Sequence, residues 1–377
     1  MGEAGIRKQT PEHSSLFTLH SSLFSVIQVL LVEDSLTVRE HLLYILNADP
    51  QIDVVGTAKD GQEAVKFVQR KIPSVIVMDI NMPRMDGFEA TRHIMQTHPI
   101  PIVLVSANWD PKEMTTSFKA IEAGAVAVLA KPRGFGDPDS KRLEQELVQQ
   151  VKLMSEIKVV TRRARKLTPS PGTAAAKPSP ASPSAFARPT GKVKLIAIGT
   201  STGGPPVLQT ILTELPKNLP VPIVIVQHIA KGFLEGMVDW LGKSTGFSVH
   251  IAAHSEPLQP GHAYFAPDGK HLEVTRDGRA FLNNDPPDSG LRPSATHLFR
   301  SVSRSYGKQA IGVILTGMGA DGAAELKKMR DTGAITIAQD KASSLVHGMP
   351  GEAIKMGAAQ YIQSPREVVE TLKRLVK

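Results

Sequence analysis

The stretch Val75-Ile-Val-Met-Asp79-Ile-Asn-Met-Pro-Arg-Met-Asp-Gly87 decides how the first half of the chain folds. Its opening apolar run stops on an acid, and turn-favouring residues follow: Asn81, Pro83, Asp86 and Gly87. A short apolar run bounded by turn signals reads as a strand buried on both faces. Strands of that kind belong to parallel sheets, whose crossovers are helices packed on the two faces.

Outward from this stretch the pattern repeats. Strands are expected at Val26–Val32, Asp53–Ala58, Val75–Met78, Ile102–Ser106 and Val126–Leu129, with helical segments such as Leu36–Leu46 and Gln62–Gln69 between them. A later helix beginning near Asp139 places Leu143, Leu147, Val151 and Met154 on one face. Glu144 and Glu146 lie near its start and Arg162, Arg163 and Arg165 near its end, as the helix dipole favours. The alternation then restarts, with strands at Lys194–Gly199, Ile223–Gln227, Ser248–Ala252, Ile311–Thr316 and Ile335–Ala338. A helix over Pro205–Leu215 repeats Leu208, Ile211, Leu212 and Leu215 at helical spacing, with proline suited to its first turn. Gly261–Pro267 and His271–Phe281 read as a β-hairpin insertion.

Composition places the break between the halves. The net charge of +8 is not spread over a folded face. Residues 1–157 hold 16 basic and 20 acidic residues, and residues 195–377 hold 19 and 16. Residues 158–194 hold 9 basic residues and no acid. Thr168–Thr190 is almost wholly Pro, Ser, Ala, Gly and Thr, which cannot bury enough surface to offset its ordering entropy. The excess charge therefore marks a tether. The organisation expected is a disordered leader at 1–25, a first domain at 26–145, a helix and flexible basic linker at 146–191, and a second domain at 192–377. With no cysteine, disulfides, thiolate catalysis and Cys-ligated zinc are excluded. No apolar run approaches the length that spans a bilayer, and the first 25 residues lack a signal-peptide cleavage pattern, so the expected location is the cytoplasm.

Polar residues recur at the ends of the first domain's strands. Glu33 and Asp34 follow the first, Asp79 ends the third, Ser106 ends the fourth, and Lys131 follows the fifth. Each alone is an ordinary solvated loop residue. Together, at one sheet edge where sites form in doubly wound folds, they gather carboxylates fit for Mg2+, plus a hydroxyl and an ammonium fit for a phosphoryl group. The motifs Val32-Glu33-Asp34-Ser35, Met78-Asp79-Ile80-Asn81-Met82-Pro83 and Lys131-Pro132 resemble the receiver domain of two-component response regulators. The resemblance implies a flavodoxin-like (βα)5 fold and phosphorylation of Asp79 by a histidine kinase. It also implies Mg2+ held by Asp34, Asp79 and the Asn81 carbonyl, assistance from Glu33, and phosphate contacts from Ser106 and Lys131. Receivers often carry an aromatic switch residue three positions before the lysine; here it is Val128.

The second domain opens with Gly199-Thr200-Ser201-Thr202-Gly203-Gly204-Pro205, a strand running through a glycine turn into a helix. It matches G-x-S-x-G, the turn that exposes a nucleophilic serine. A phosphate-binding loop remains the rival reading, because helix N-termini also bind anions. A serine needs a base and the base an orienting group. His228 ends the next strand and Asp321 lies in the glycine-rich loop after a later one, all on one sheet edge. His250, His254, His262, His271, His297 and His347 show no metal-ligand spacing and read as structural or surface residues.

The order Ser, His, Asp departs from the orders of classical hydrolases. Residues 192–377 instead resemble the catalytic domain of chemotaxis protein-glutamate methylesterases. The matching motifs are Ile198–Gly204, Gln227-His228, Pro260–Pro267, Arg292-Pro293-Ser294 and Leu315–Gly322. The resemblance implies a doubly wound parallel-sheet α/β hydrolytic domain that hydrolyses receptor glutamate methyl esters and deamidates receptor glutamines. Ser201, His228 and Asp321 would be the triad, Met318 and Thr202 the oxyanion hole, and the ester chemistry would use no cofactor. Methyl-accepting chemotaxis receptors and a chemotaxis histidine kinase are the implied partners, and a monomer is expected. In the resting state the receiver is expected to cover the cleft. A competing reading, a regulator that binds nucleic acid through Lys158–Lys194, finds no helix-turn-helix or zinc finger and predicts only salt-sensitive contact.

Overall fold

The computed structural model describes residues 26–106, 127–132, 140–156 and 192–376. The leader of residues 1–25, the linker from 157 to 191 and Arg162, Arg163 and Arg165 lie outside the described residues.

Two separate parallel sheets form. In the first half the order of elements is β1 (Ile27–Val32), α1 (Leu36–Asn47), β2 (Ile52–Ala58), α2 (Gly61–Arg70), β3 (Val75–Asp79), α3 (Gly87–Thr97), β4 (Ile102–Ser106), β5 (Ala127–Ala130) and α4 (Ser140–Ser155). The strands pair in the order β2-β1-β3-β4-β5, every pair parallel. This is the flavodoxin-like order that the receiver resemblance implies. Every residue of β3 and β4 is buried, because helices cover both faces.

Leu147, Val151 and Met154 of α4 are buried in the same apolar cluster as Val29, Leu31, Val77 and Val103. A boundary at residue 145 would cut this helix through its packed face. Through Ser155 this helix packs with the first sheet.

The second half runs β6 (Leu195–Thr200), α5 (Gly204–Glu214), β7 (Ile223–Gln227), α6 (Leu234–Thr245), β8 (Ser248–Ile251), β9 (His262–Phe265), β10 (His271–Val274) and β11 (Ala280–Asn283). It continues with α7 (Ala295–Tyr306), β12 (Ala310–Ile314), α8 (Ala323–Asp331), β13 (Ile335–Gln339), α9 (Met349–Lys355), β14 (Tyr361–Gln363) and α10 (Pro365–Leu375). Seven strands form one parallel sheet in the order β14-β13-β12-β6-β7-β9-β8. The chain starts in the middle, at β6, builds outward through β7, and returns to β6's other side with β12. Its carboxyl edge there is where doubly wound sheets hold their ligands.

One expectation needs correction. Only β10 and β11 form the antiparallel hairpin. His262–Phe265 is instead a strand of the main sheet, parallel to both β7 and β8. Ala263, Tyr264 and Phe265 are all buried, as a strand covered on both faces requires and a surface hairpin does not. Among the described residues no helix is long and apolar enough to cross a membrane.

Candidate functional site

Two clusters of polar side chains stand at carboxyl edges of these sheets. The first follows from strand ends in the receiver. Asp79 is the last residue of β3, and Glu33 and Asp34 follow β1 directly. Carboxylate oxygens of Glu33, Asp34 and Asp79 all lie within 4.8 Å of one another. Lys131, just after β5, reaches in with Nζ 2.9 Å from Glu33 Oε2 and 2.9 Å from Asp79 Oδ1. Asp34 is exposed; Glu33, Asp79, Ser106 and Lys131 are buried.

Such crowding has an electrostatic cost. Burial pushes the Asp79 carboxyl above its ordinary range, although Lys131 and backbone N–H groups of Ile80 and Asn81 pull the other way. Burial also raises Glu33, and the neighbouring Asp79 charge adds to it. Lys131 is buried too, yet the two carboxylates outweigh that and hold its ammonium above the usual lysine value. All the acceptors here are carboxylate or backbone oxygens, the donor type that suits a hard divalent cation. Val128 is half-buried in β5 and packs against the core cluster of Leu30, Val32, Met78 and Leu104.

The second cluster lies where β6, β7 and β12 run side by side. Thr200 and Gln227 are register partners at the ends of β6 and β7. The residues that follow them, Ser201 and His228, are therefore neighbours. The His228 N–H donates to the Thr200 carbonyl at 2.9 Å, and the Ser201 N–H donates to the Thr316 carbonyl at 3.0 Å. Gln227, which is 4% exposed, ties these ends together. Its side-chain Nε2 donates to the carbonyls of both Ser201 and His228, each at 2.8 Å. The turn after Ser201 needs Gly203, which has φ 77°, because an L side chain is strained there.

Asp321 follows β12 through the glycine-rich loop. Its Oδ2 lies 2.8 Å from His228 Nε2, with the aspartate side chain 5% exposed and the histidine 12%. The carboxylate sits on the N-terminus of α7. It accepts from Ser294 Oγ at 2.6 Å, the Ala295 N–H at 2.6 Å and the Thr296 N–H at 3.1 Å. Burial opposes ionisation, but His228, Ser294 and Thr296 outweigh it and hold Asp321 far below the ordinary carboxylate range. An aspartate held low in pKa thus faces a histidine beside the turn that carries Ser201. Thr202 and Met318 are half-buried beside this turn, and among the described residues neither N–H meets an acceptor.

Glu33, Asp34, Asp79 and Lys131 gather in the first cluster, and His228 and Asp321 meet in the second, beside the turn that carries Ser201. The sequence reading assigned no role to Gln227, Ser294 or Thr296, although Gln227 and Ser294 stand within quoted motifs. The two clusters are also linked by packing. Val346 belongs to the apolar cluster of the receiver that contains Val105, Leu129 and Val151, and Met318 and Leu345 pack against the same cluster.

Comparison with known proteins agrees in both halves. A family model for the CheB methylesterase matches residues 196–372, and one for the response regulator receiver domain matches residues 29–137. A protein-glutamate methylesterase/protein-glutamine glutaminase of Geobacter metallireducens is 52% identical over 352 residues, covering 93% of this chain and 99% of that protein. A protein of the same description from Syntrophus aciditrophicus is 50% identical over 350 residues, covering 93% of this chain and 98% of its own. Among solved structures, the Thermotoga maritima CheB methylesterase catalytic domain is similar at 36% identity. It covers 49% of this chain and 100% of that one, with a TM-score of 0.48.

Proposed function

Because the chain belongs to the CheB methylesterase family, with a response regulator receiver ahead of the catalytic domain, we propose that it is a phosphorylation-activated protein-glutamate methylesterase and protein-glutamine deamidase serving sensory adaptation. The observation that carries this reading is the arrangement of Ser201, His228 and Asp321 beyond three adjacent parallel strands.

Ser201 Oγ attacks the side-chain ester carbonyl of a methylated glutamate on a chemoreceptor. His228 takes the serine proton as the bond forms. Its Nε2 faces Asp321, which leaves Nδ1 for this task. The imidazolium then gives its proton to departing methanol, and water releases the acyl-enzyme as glutamate by the same steps. Asp321 fixes the tautomer and stabilises the charged ring. The N–H groups of Met318 and Thr202 receive the oxyanion, and each such donor contributes on the order of 3 kcal/mol. Deamidation of a receptor glutamine uses the same acyl intermediate with ammonia leaving.

In the receiver, an Asp79 oxygen accepts a phosphoryl group from a chemotaxis histidine kinase. Asp34, Asp79 and the Asn81 carbonyl would hold Mg2+, with Glu33 assisting. Three oxygens within 4.8 Å and two carboxyls pushed up by burial form a site that fits a divalent cation. Bound there, Mg2+ supplies the positive charge that offsets the phosphoryl oxygens. Lys131 and Ser106 contact those oxygens from the protein side. The new charge of about −1.5 to −2 competes for Lys131, which now pairs with Asp79 and Glu33. The working form is a cytoplasmic monomer.

Methanol release from methylated receptors, measured with and without a small phosphodonor and Mg2+, tests this reading. Ser201→Ala should abolish release, and Asp79→Asn should leave basal release but remove stimulation. Release that survives Ser201→Ala overturns the esterase mechanism.

A further inference from the structure

Thr316 is fully buried just beyond the end of β12, and all its polar atoms are engaged. Its N–H donates to Gln339 Oε1 at 2.8 Å. Its carbonyl accepts from the Ser201 N–H at 3.0 Å and from Thr200 Oγ1 at 3.0 Å. Its hydroxyl oxygen accepts from the Val346 N–H at 2.9 Å. That oxygen lies 2.9 Å from the Thr202 carbonyl and 3.1 Å from the Val346 carbonyl. The single hydroxyl proton serves one of these two carbonyls at a time. One side chain thus joins the turn carrying Ser201 to the segment after β13.

That segment is the one the receiver touches. Val346 lies within the receiver's apolar cluster, and Leu345 packs against it. Leu345 also leans on the turn itself: a Cβ placed on Gly203 would meet Leu345 Cβ at 2.6 Å. The Gly317 N–H donates to the Val346 carbonyl at 3.0 Å, so the loop carrying Met318 hangs from the same segment. A shift at Leu345–Val346 therefore reaches both sides of the oxyanion position, through packing on Gly203 and through hydrogen bonds on Thr316 and Gly317.

We propose that Thr316 is a positioning residue whose hydroxyl couples the receiver-contacted 345–346 segment to the Ser201–Thr202 turn. By this device receiver docking adjusts the geometry of the oxyanion hole in addition to covering the cleft. The inference rests on the reading of Ser201 as the nucleophile.

The test uses the full chain and the variants Thr316→Val, which keeps the shape and loses the hydroxyl, and Thr316→Ser, which keeps the hydroxyl. Methanol release is measured with and without acetyl phosphate, alongside melting temperature. Removing a direct oxyanion donor costs about 100- to 1,000-fold in kcat, and removing a group that only orients one costs less. Thr316→Val should lower kcat about tenfold with KM unchanged, and should reduce the stimulation ratio at least about twofold. Thr316→Ser should restore both. Wild-type kcat and stimulation in Thr316→Val overturn the proposal, and so does an equal loss in Thr316→Ser. If the valine variant fails to fold, Thr316→Ser and Thr316→Ala decide, with the serine variant required to keep the wild-type ratio. A wild-type chain that releases no methanol overturns the esterase reading itself, which separates that failure from this one.

Discussion

His228 Nε2 stands 2.8 Å from Asp321 Oδ2, and the same aspartate is gripped by the N-terminus of α7 through Ser294, Ala295 and Thr296. The carboxylate is thus a fixed anion, held well below its ordinary pKa by the histidine and these donors. Asp321→Asn exchanges an acceptor for an amide that can donate, which favours the wrong histidine tautomer. In a serine protease triad the corresponding change costs about 10,000-fold in kcat. A loss of about 1,000-fold or more is expected here, with KM little changed, in a steady-state methanol-release assay. Retention of kcat within about tenfold of the wild type contradicts the orienting role.

Ser294 serves two ends at once. As the N-cap of α7 its Oγ accepts from the Thr296 N–H at 3.1 Å, and it donates to Asp321 Oδ1 at 2.6 Å. Ser294→Ala removes a cap, worth about 1 kcal/mol, and one of the donors that hold the Asp321 carboxylate. Melting temperature should fall modestly while kcat falls by about tenfold, a weaker effect than Asp321→Asn because two N–H donors remain. Equal loss in both variants would show that the hydroxyl, and not the set of donors, orients the aspartate.

The receiver pocket predicts a pH dependence. Asp79 and Glu33 have folded-state pKa values raised by burial, so the folded form binds their protons more tightly than the unfolded chain does. Their contribution to stability is fully present below the ordinary carboxylate range, near pH 4, and is lost as pH rises through the raised values. In EDTA the receiver of the wild type should therefore lose stability as pH rises above the ordinary carboxylate range, relative to Asp79→Asn. Mg2+ should close that gap by stabilising the ionised carboxylates. The measurement is the difference in melting temperature between the two proteins across this pH range. A difference that does not change with pH refutes the assignment of the shifts to Asp79.

Much of this was legible because the decisive residues end apolar strands. Asp79, Ser106, Ser201 and His228 follow runs that bury on both faces, and β4 and β7 have the bounds their composition predicts. What was not legible depends on returns of the chain that carry no local signal. The clasp on Asp321 comes from Ser294–Thr296, and Ser294 lies 27 residues upstream. Strand β9 lies in the Gly261–Pro267 stretch that reads as part of a hairpin, whereas its pairing with β7 and β8 is a tertiary event. The histidines show the same limit. His297 stacks on His271 at 3.7 Å and shares a 4.8 Å neighbourhood with Glu273 and Asp285, only because the β10–β11 hairpin folds onto α7. No spacing in the chain announces that cluster.

Gly204 provides the sharpest steric prediction. It is the first residue of α5, and a Cβ there would lie 2.2 Å from Gln227 Oε1 and 2.4 Å from Thr200 Oγ1. Neither neighbour can give way freely. Gln227 is buried with its Nε2 donating to both the Ser201 and the His228 carbonyls, and the Thr200 hydroxyl donates to the Thr316 carbonyl. Gly204→Ala forces the carboxamide aside and unties the Ser201 and His228 carbonyls from each other. The overpacking alone should cost about 1–3 kcal/mol, seen as a lower melting temperature of the catalytic domain. The displaced Gln227 should lower kcat as well, and labelling of Ser201 by a serine-directed sulfonyl fluoride should slow in parallel. Gln227→Ala in the same chain opens room for the new methyl group. If the clash is with Gln227, the double variant should regain melting temperature relative to Gly204→Ala while kcat stays low, because the ties to Ser201 and His228 are still missing. Recovery of both properties would mean that Gln227 only fills space between β6 and β7.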